Sequence, residues 1–175
     1  PNNEVLIAEL FNKVYKPTIA KVKGDVYAGG IILLASCTYV VASDDIKLGL
    51  PEVKRGLYPF QVMAALLKIM PPKKVIDWCI SGHNLSAQQA HNLGLITHII
   101  ANNSVDDAVN NIAAILKENS PSAIRLGLEA FDYIQPSTEK HRYLHAMLQK
   151  TIATHDAQEG IMAFKQKRKA VWTGQ

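Results

Sequence analysis

The sequence has no long hydrophobic run. Its most apolar stretch, Val26 to Ala35, is interrupted by two glycines and is too short to cross a bilayer as a helix. Only two cysteines occur, Cys37 and Cys79, each inside an apolar segment. They read as reduced core thiols rather than a disulfide or a metal pair, and nothing calls for an oxidising compartment. There is no G-x-G-x-x-G and no G-x-x-x-x-G-K-[ST], which removes the usual dinucleotide and nucleoside-triphosphate sites. There is no G-x-S-x-G, so a hydrolase nucleophile elbow is absent. Aromatic residues make up 7% and do not interleave the basic runs, against a platform for single-stranded nucleic acid. The chain opens on Pro1 with no signal peptide, and is read as a fragment or a processed chain.

What is present is an ordinary globular composition: 175 residues, 48% hydrophobic and 19% charged, enough for one domain with a real core. Net charge is +4, gathered at Lys68, Lys73 and Lys74 and again over Lys165 to Lys169. Solvated helix faces account for such runs, and an anionic ligand such as a phosphate is the sharper alternative.

Helical spacing of Val5, Leu6, Leu10, Phe11, Val14 and Tyr15 predicts a helix over residues 3 to 15, ended by Lys16-Pro17. "TIAKVKG" reads as a strand, Gly29-Gly30 as a turn into a buried helix through Ser36, and "YVVAS" and "IKLGL" as further strands around an Asp44-Asp45 turn. "PEVKRGLYP" reads as a loop bracketed by Pro51 and Pro59. Helices follow over Gln61 to Met70 and Lys73 to Ile80, and a capping box of Ser86 with Gln89 opens another that Gly94 stops. "LITHII" is the last strand. Ser104 with Asp107, Ser120-Pro121 and Asp156 with Glu159 open the remaining helices. Strands alternating with helices, then a helical tail, predict an α/β fold with a C-terminal helical extension.

Two features carry chemistry. Gly29 and Gly30 sit between a strand and a helix start, where the first N–H groups lack internal partners and glycine permits close approach of a ligand. A tight turn without any ligand fits the same dipeptide. Glu52 follows Pro51 among Leu48, Leu50, Val53 and Leu57. An apolar setting disfavours its charged form and suits acid–base work, while a loop glutamate paired with Lys54 or Arg55 fits equally. His141 and His145 share a helix face, but no local carboxylate or cysteine completes a metal set, so surface histidines are expected. His83, His91, His98 and His155 stand alone.

The segment "KPTIAKVKGDVYAGGIILLASCTYVVASDDIKLGLPEVKRGLYP" resembles the crotonase family, the enoyl-CoA hydratases and isomerases. The likeness continues through "SGHNLSAQQAHNLGLITHII" and "HDAQEGIMAFKQKRKAVW" and covers almost the whole chain. It implies the crotonase ββα-repeat core, truncated at the N-terminus: residues 1–103 as the C-terminal part of the core, and 104–175 as a helical trimerisation and capping region. It implies an enzyme on acyl-CoA or enoyl-CoA thioesters, as in fatty acid metabolism, with CoA as part of the substrate and no resident cofactor or metal.

Residue by residue, the family's glycine-turn oxyanion donor falls on Gly29, with Gly30 beside it. The family's other donor lies in an N-terminal A-G-x-D-type segment that this sequence does not contain, so the chain alone is expected to be inactive. The family's loop glutamate matches Glu52, with Leu57 lining the same loop. The first hydratase glutamate is replaced by Ile32, the glycine triplet reads Ala28-Gly29-Gly30, and Thr38 stands where Asp usually follows the cysteine. One carboxylate suffices for double-bond isomerisation, while the loop resembles a hydratase-like branch; hydratase is the preferred expectation and isomerase the second. A catalytically silent CoA-binding relative or an RNA-binding relative stands as a further alternative. Phe164 and Lys167 match a tail aromatic and lysine that approach the CoA of a neighbouring subunit. The resemblance therefore implies a homotrimer or a hexamer built as a dimer of trimers. It implies no membrane or nucleic-acid partner, and a cytoplasmic or mitochondrial-matrix location.

Overall fold

The computed structural model describes residues 10–11, 13–134 and 139–173. Among these residues, six short strands form two sheets. In the first, β1 (Ile19–Val22), β3 (Tyr39–Ser43) and β6 (His98–Ile100) are all parallel, in the order β1-β3-β6. In the second, β2 (Val26–Tyr27) runs parallel to β4 (Lys47–Gly49), which pairs antiparallel with β5 (Asn84–Ser86). The chain adds one strand to each sheet and then a helix. β1 and β2 lead into α1 (Gly30–Ser36); β3 and β4 lead into a 3₁₀ helix (Pro51–Arg55), α2 (Phe60–Leu66) and α3 (Pro72–Ser81). After β5, α4 (Ala87–Asn92) returns the chain to β6. This is the expected ββα repeat. Four helices follow: α5 (Val105–Lys117), α6 (Pro121–Ile134), α7 (Glu139–Ile152) and α8 (His155–Lys165).

The core explains the pairing. Val40, Val41 and Ala42 are buried at successive positions of β3, as a strand flanked on both sides and covered on both faces requires. Ile31 and Leu34 of α1, Leu48, Leu50, Leu66, Val75, Trp78 and Ile96 complete one cluster. Burying a side chain of this size is worth about 1.5–3 kcal/mol, so α1 is held by packing rather than by its short length. Trp78 places its indole N–H on the His83 carbonyl at 2.9 Å, so its polar edge is satisfied inside the core.

Several expectations need correction. The helix over residues 3 to 15 lies largely outside the described residues; Leu10 and Phe11 are helical and Lys13-Val14 already turns. The helix after Pro59 stops at Leu66 rather than Met70. "PEVKRGLYP" is not all loop: Pro51 starts the 3₁₀ helix and Gly56, at φ 71°, caps it in the left-handed region. Strands β2 and β5 were not expected, being too short to carry a period. The Ser86–Gln89 capping box is present in both directions. Ser104 makes no cap; its hydroxyl donates to Asn103 instead. Thr154, not Asp156, caps α8, accepting the Ala157 N–H at 3.1 Å. Asp156 and Glu159 instead hold the returning tail, through Thr173 and through Arg168 and Val171. Both cysteines are free; Cys79 is fully buried and Cys37 half-buried.

Candidate active site

The parallel pairing of β2 with β4 brings the two sequence candidates together. Tyr27 lies opposite Gly49, and the Ala28 N–H donates to the Gly49 carbonyl at 2.9 Å. Gly29 is two residues beyond this pair on one strand, and Glu52 three beyond it on the other. Both therefore leave the same carboxyl-terminal end of neighbouring parallel strands, where open α/β sheets present their ligand sites. Pairing needs glycine at position 49. A Cβ there would sit 2.5 Å from Asn84 Oδ1 and 2.8 Å from the Tyr27 ring.

The glycine turn is built for access. Gly29 is exposed, and a Cβ added to it would meet nothing within 4 Å. It precedes the first helical residue, Gly30, and neither N–H donates to an acceptor among the described residues. Gly30 has a packing reason as well, since a Cβ would come within 2.9 Å of Val26 Cγ1. Ala28, at φ 53°, occupies the left-handed region that glycine prefers. Ile32 lies on α1, its N–H on the Gly29 carbonyl at 3.0 Å, and packs half-buried against the core. It brings no second carboxylate to the turn.

Glu52 sits on the 3₁₀ helix. Its backbone carbonyl accepts the Gly56 and Leu57 N–H groups, the latter at 3.1 Å, which closes the turn around it. Its side chain is half-buried, and Oε2 is inaccessible with no hydrogen-bond partner among the described residues. Burial pushes its carboxyl above the ordinary glutamate range, against smaller opposing pulls from its own backbone and from Arg55. The Cys79 thiol, on α3, is pushed up to about 11 by burial, with the Glu52 charge adding to the rise. Tyr58 is also raised by burial, and its hydroxyl donates to Met63 Sδ at 3.6 Å. The exposed, ion-paired loop glutamate left open by the local sequence is therefore not what forms.

The tail candidates lie close to this helix in the same chain. Phe164 on α8 is exposed on its outer side, and the Arg55 guanidinium stacks over its ring at 4.1 Å from the centroid. Lys167 follows α8, exposed and at φ 53°. Within the basic run, Arg168 is committed to structure, gripping Glu159 through two bonds of 2.6 and 2.8 Å. His141 lies outside the described side chains. A cavity of about 380 Å³ opens at the far end of α1, beside Cys37, Lys68 and Phe131, and none of the candidate residues lines it. Gly160 escaped sequence reasoning, which also offered Arg55 as a partner of Glu52 rather than of Phe164. The one visible signal for Gly160 was a lone glycine within an otherwise helical run, "EGIMAF".

Among the described residues no helix is long and apolar enough to cross a membrane. A family model for enoyl-CoA hydratase/isomerase matches residues 4–175. The mitochondrial enoyl-CoA hydratase domain-containing protein 3 of Xenopus laevis is 32% identical over 166 residues, which is 94% of this chain and 56% of that protein. The carnitinyl-CoA dehydratase of Escherichia coli K12 is 30% identical over 175 residues, 96% of this chain and 67% of that protein. Among solved structures, carnitinyl-CoA hydratase from Mycobacterium avium superposes with a TM-score of 0.85 at 27% identity, over 92% of this chain and 64% of that one. The chain thus spans between 56% and 67% of the length of these relatives. A ββα core with a glycine turn and a Pro-Glu loop at one sheet end, matched across nearly its whole length, places this chain in the enoyl-CoA hydratase/isomerase family.

Proposed function

We propose that the protein is an enoyl-CoA hydratase-type enzyme in which Gly29 supplies a backbone oxyanion donor and Glu52 moves the proton. The observation that carries this reading is Glu52 itself: half-buried, one oxygen unpartnered, its carboxyl raised by burial, beside a glycine turn with bare N–H groups. The Gly29 N–H would donate to the thioester oxygen as it becomes an enolate, the kind of developing charge that preorganised donors stabilise best. For hydration, the Glu52 carboxylate takes a proton from water as the hydroxyl bonds to C3. The C2=C3 electrons move toward the thioester, and Glu52 returns its proton to C2. Atoms and charge balance with one carboxylate.

The names of relatives support this reading over others. Besides the carnitinyl-CoA dehydratase, a mevalonyl-CoA hydratase of Aspergillus fumigatus is 30% identical over 162 residues. Ile32 favours a second reading, double-bond isomerisation by Glu52 alone, since two carboxylates on one water cannot be assembled from this turn. Gly30, Ile32 and Leu57 would line the acyl-CoA site. Residues 104–175 would serve as a capping and oligomer-forming region, with Phe164 and Lys167 near CoA. The test is product analysis with crotonyl-CoA and 3-enoyl-CoA substrates on the intact protein. Hydration that falls by about 10²–10⁴ in Glu52→Gln, with CoA affinity nearly unchanged, is expected. Unchanged turnover removes Glu52 from the mechanism, and isomerised product without hydration favours the second reading.

A further inference from the structure

The 3₁₀ helix poses a problem that the rest of the chain has to solve. Residues three apart on such a helix eclipse one another, so Glu52 and Arg55 share one face. An arginine there is the natural ion-pair partner of a half-buried carboxylate, yet Glu52 Oε2 has no hydrogen-bond partner among the described residues. The guanidinium lies instead on the face of Phe164, 4.1 Å from the ring centroid. A cation is held over an aromatic face by the ring's negative π surface.

The backbone beneath this contact is fixed from the same direction. A Cβ on Gly160 would lie 2.3 Å from the carbonyl carbon and oxygen of Arg55, and one on Gly56 would lie 2.4 Å from the Asp156 oxygen. The α8 backbone is therefore seated directly on Arg55 and Gly56, with Ala157, Gly160 and Ala163 buried at the contact. Only glycines permit so close an approach.

We propose that Phe164 is a positioning residue that withholds Arg55 from Glu52, keeping the carboxylate unpaired for proton transfer. The helix bearing the acid–base group is thus completed by the C-terminal helix α8 of the same chain. The inference rests on the reading of Glu52 as the acid–base group. Other titratable or charged groups around it do not replace Arg55. Lys54 extends toward Gly82, Tyr58 and the Cys79 thiol are neutral near physiological pH, and Asp156 on α8 holds Thr173. Burial raises the Glu52 carboxyl and Arg55 opposes that rise, so a closer guanidinium would lower it.

The experiment compares Phe164→Leu, Phe164→Tyr, Arg55→Met and the double variant Phe164→Leu/Arg55→Met in the intact protein. Two readouts are taken: the titration midpoint of the Glu52 carboxyl by carbon-13 NMR, and the pH profile of kcat. Phe164→Leu keeps apolar bulk but removes the π face. The Glu52 midpoint is expected to fall by about one pH unit or more as Arg55 closes on it. kcat should fall with it, by up to about tenfold, because a weaker base takes the proton less readily. Phe164→Tyr keeps the ring and should leave the Glu52 midpoint where it is. Deleting the cation in the double variant should restore the midpoint and raise kcat above that of Phe164→Leu. A midpoint unmoved in Phe164→Leu, or a double variant no better than Phe164→Leu, overturns the proposal. Because the NMR midpoint does not depend on turnover, it separates this proposal from the catalytic reading. A midpoint that moves while Glu52→Gln stays fully active keeps the Phe164–Arg55 device and removes Glu52 from catalysis.

Discussion

The two halves of the candidate site are made in opposite ways. The Gly29 half is local: a turn closing one strand and opening one helix, its donors supplied by backbone, with open space where a side chain would be. The Glu52 half is distant in origin. Its carboxylate is on a five-residue 3₁₀ helix, but its setting is built with the Cys79 thiol of α3, which its charge helps to raise, and with α8, where Phe164 takes Arg55 and Gly160 packs on the backbone. A backbone donor needs only the right turn. A proton-transferring side chain needs an environment, and environments are assembled from far along the chain.

Mutations can separate the halves. After the loss of Glu52 itself, the largest effect is expected at the turn. Gly29→Ala, at φ −56°, meets no protein atom within 4 Å, so stability should change by less than about 0.5 kcal/mol. Its methyl would instead occupy the ligand's approach, and kcat/KM should fall by about 10²-fold, a loss like that of an oxyanion donor. A large drop in Tm would break the comparison, since the turn would then be a structural joint.

Gly160→Ala should do the reverse. Its methyl meets rigid backbone at 2.3 Å, so α8 must lift from Arg55 or the fold must strain, at about 1–3 kcal/mol. Chemical denaturation checks the loss. CoA affinity through the glycine turn should change less than the Glu52 pH profile does, and an unchanged profile would detach α8 from the Glu52 half.

The smallest effect is on stability through Glu52. Its carboxyl is raised by burial above the unfolded value of 4.5, so the folded state holds the proton more tightly. Above that value, ionising Glu52 costs the folded state stability; below it, with both states protonated, the cost vanishes. Glu52→Gln should therefore raise Tm slightly at pH 7 and leave it unchanged near pH 4, while turnover falls. A variant less stable at pH 7 would mean that the carboxylate is favourably paired.

The site was unevenly legible for the same reason. Gly29 before an apolar run, the Ser86–Gln89 box and the Val40–Ala42 strand could be read from sequence because propensity, capping and periodicity act within a few residues. The local sequence offered Glu52 with two readings open, and the resemblance supplied its role and Phe164, but not the contact between Phe164 and Arg55. Strands β2 and β5 escaped because two or three residues carry no period, although they form the sheet that aligns the site. Asp156 and Glu159 looked like the start of a helix, and they hold the returning tail instead, because Thr154 already fills the cap.

By itself, then, the sequence determined where the chain turns, which residues seek the core and that a bare glycine turn is followed by a Pro-Glu loop. Tertiary structure alone decided that Tyr27 and Gly49 pair, so that Gly29 and Glu52 leave one end of one sheet. It also decided that Glu52 is desolvated, and that the guanidinium three residues away faces an aromatic ring instead of the carboxylate. Turns and caps are set by the dihedral preferences and hydrogen bonds of neighbours. Burial and charge pairing depend on which distant atoms fill the surrounding space, and no local stretch of sequence contains that information.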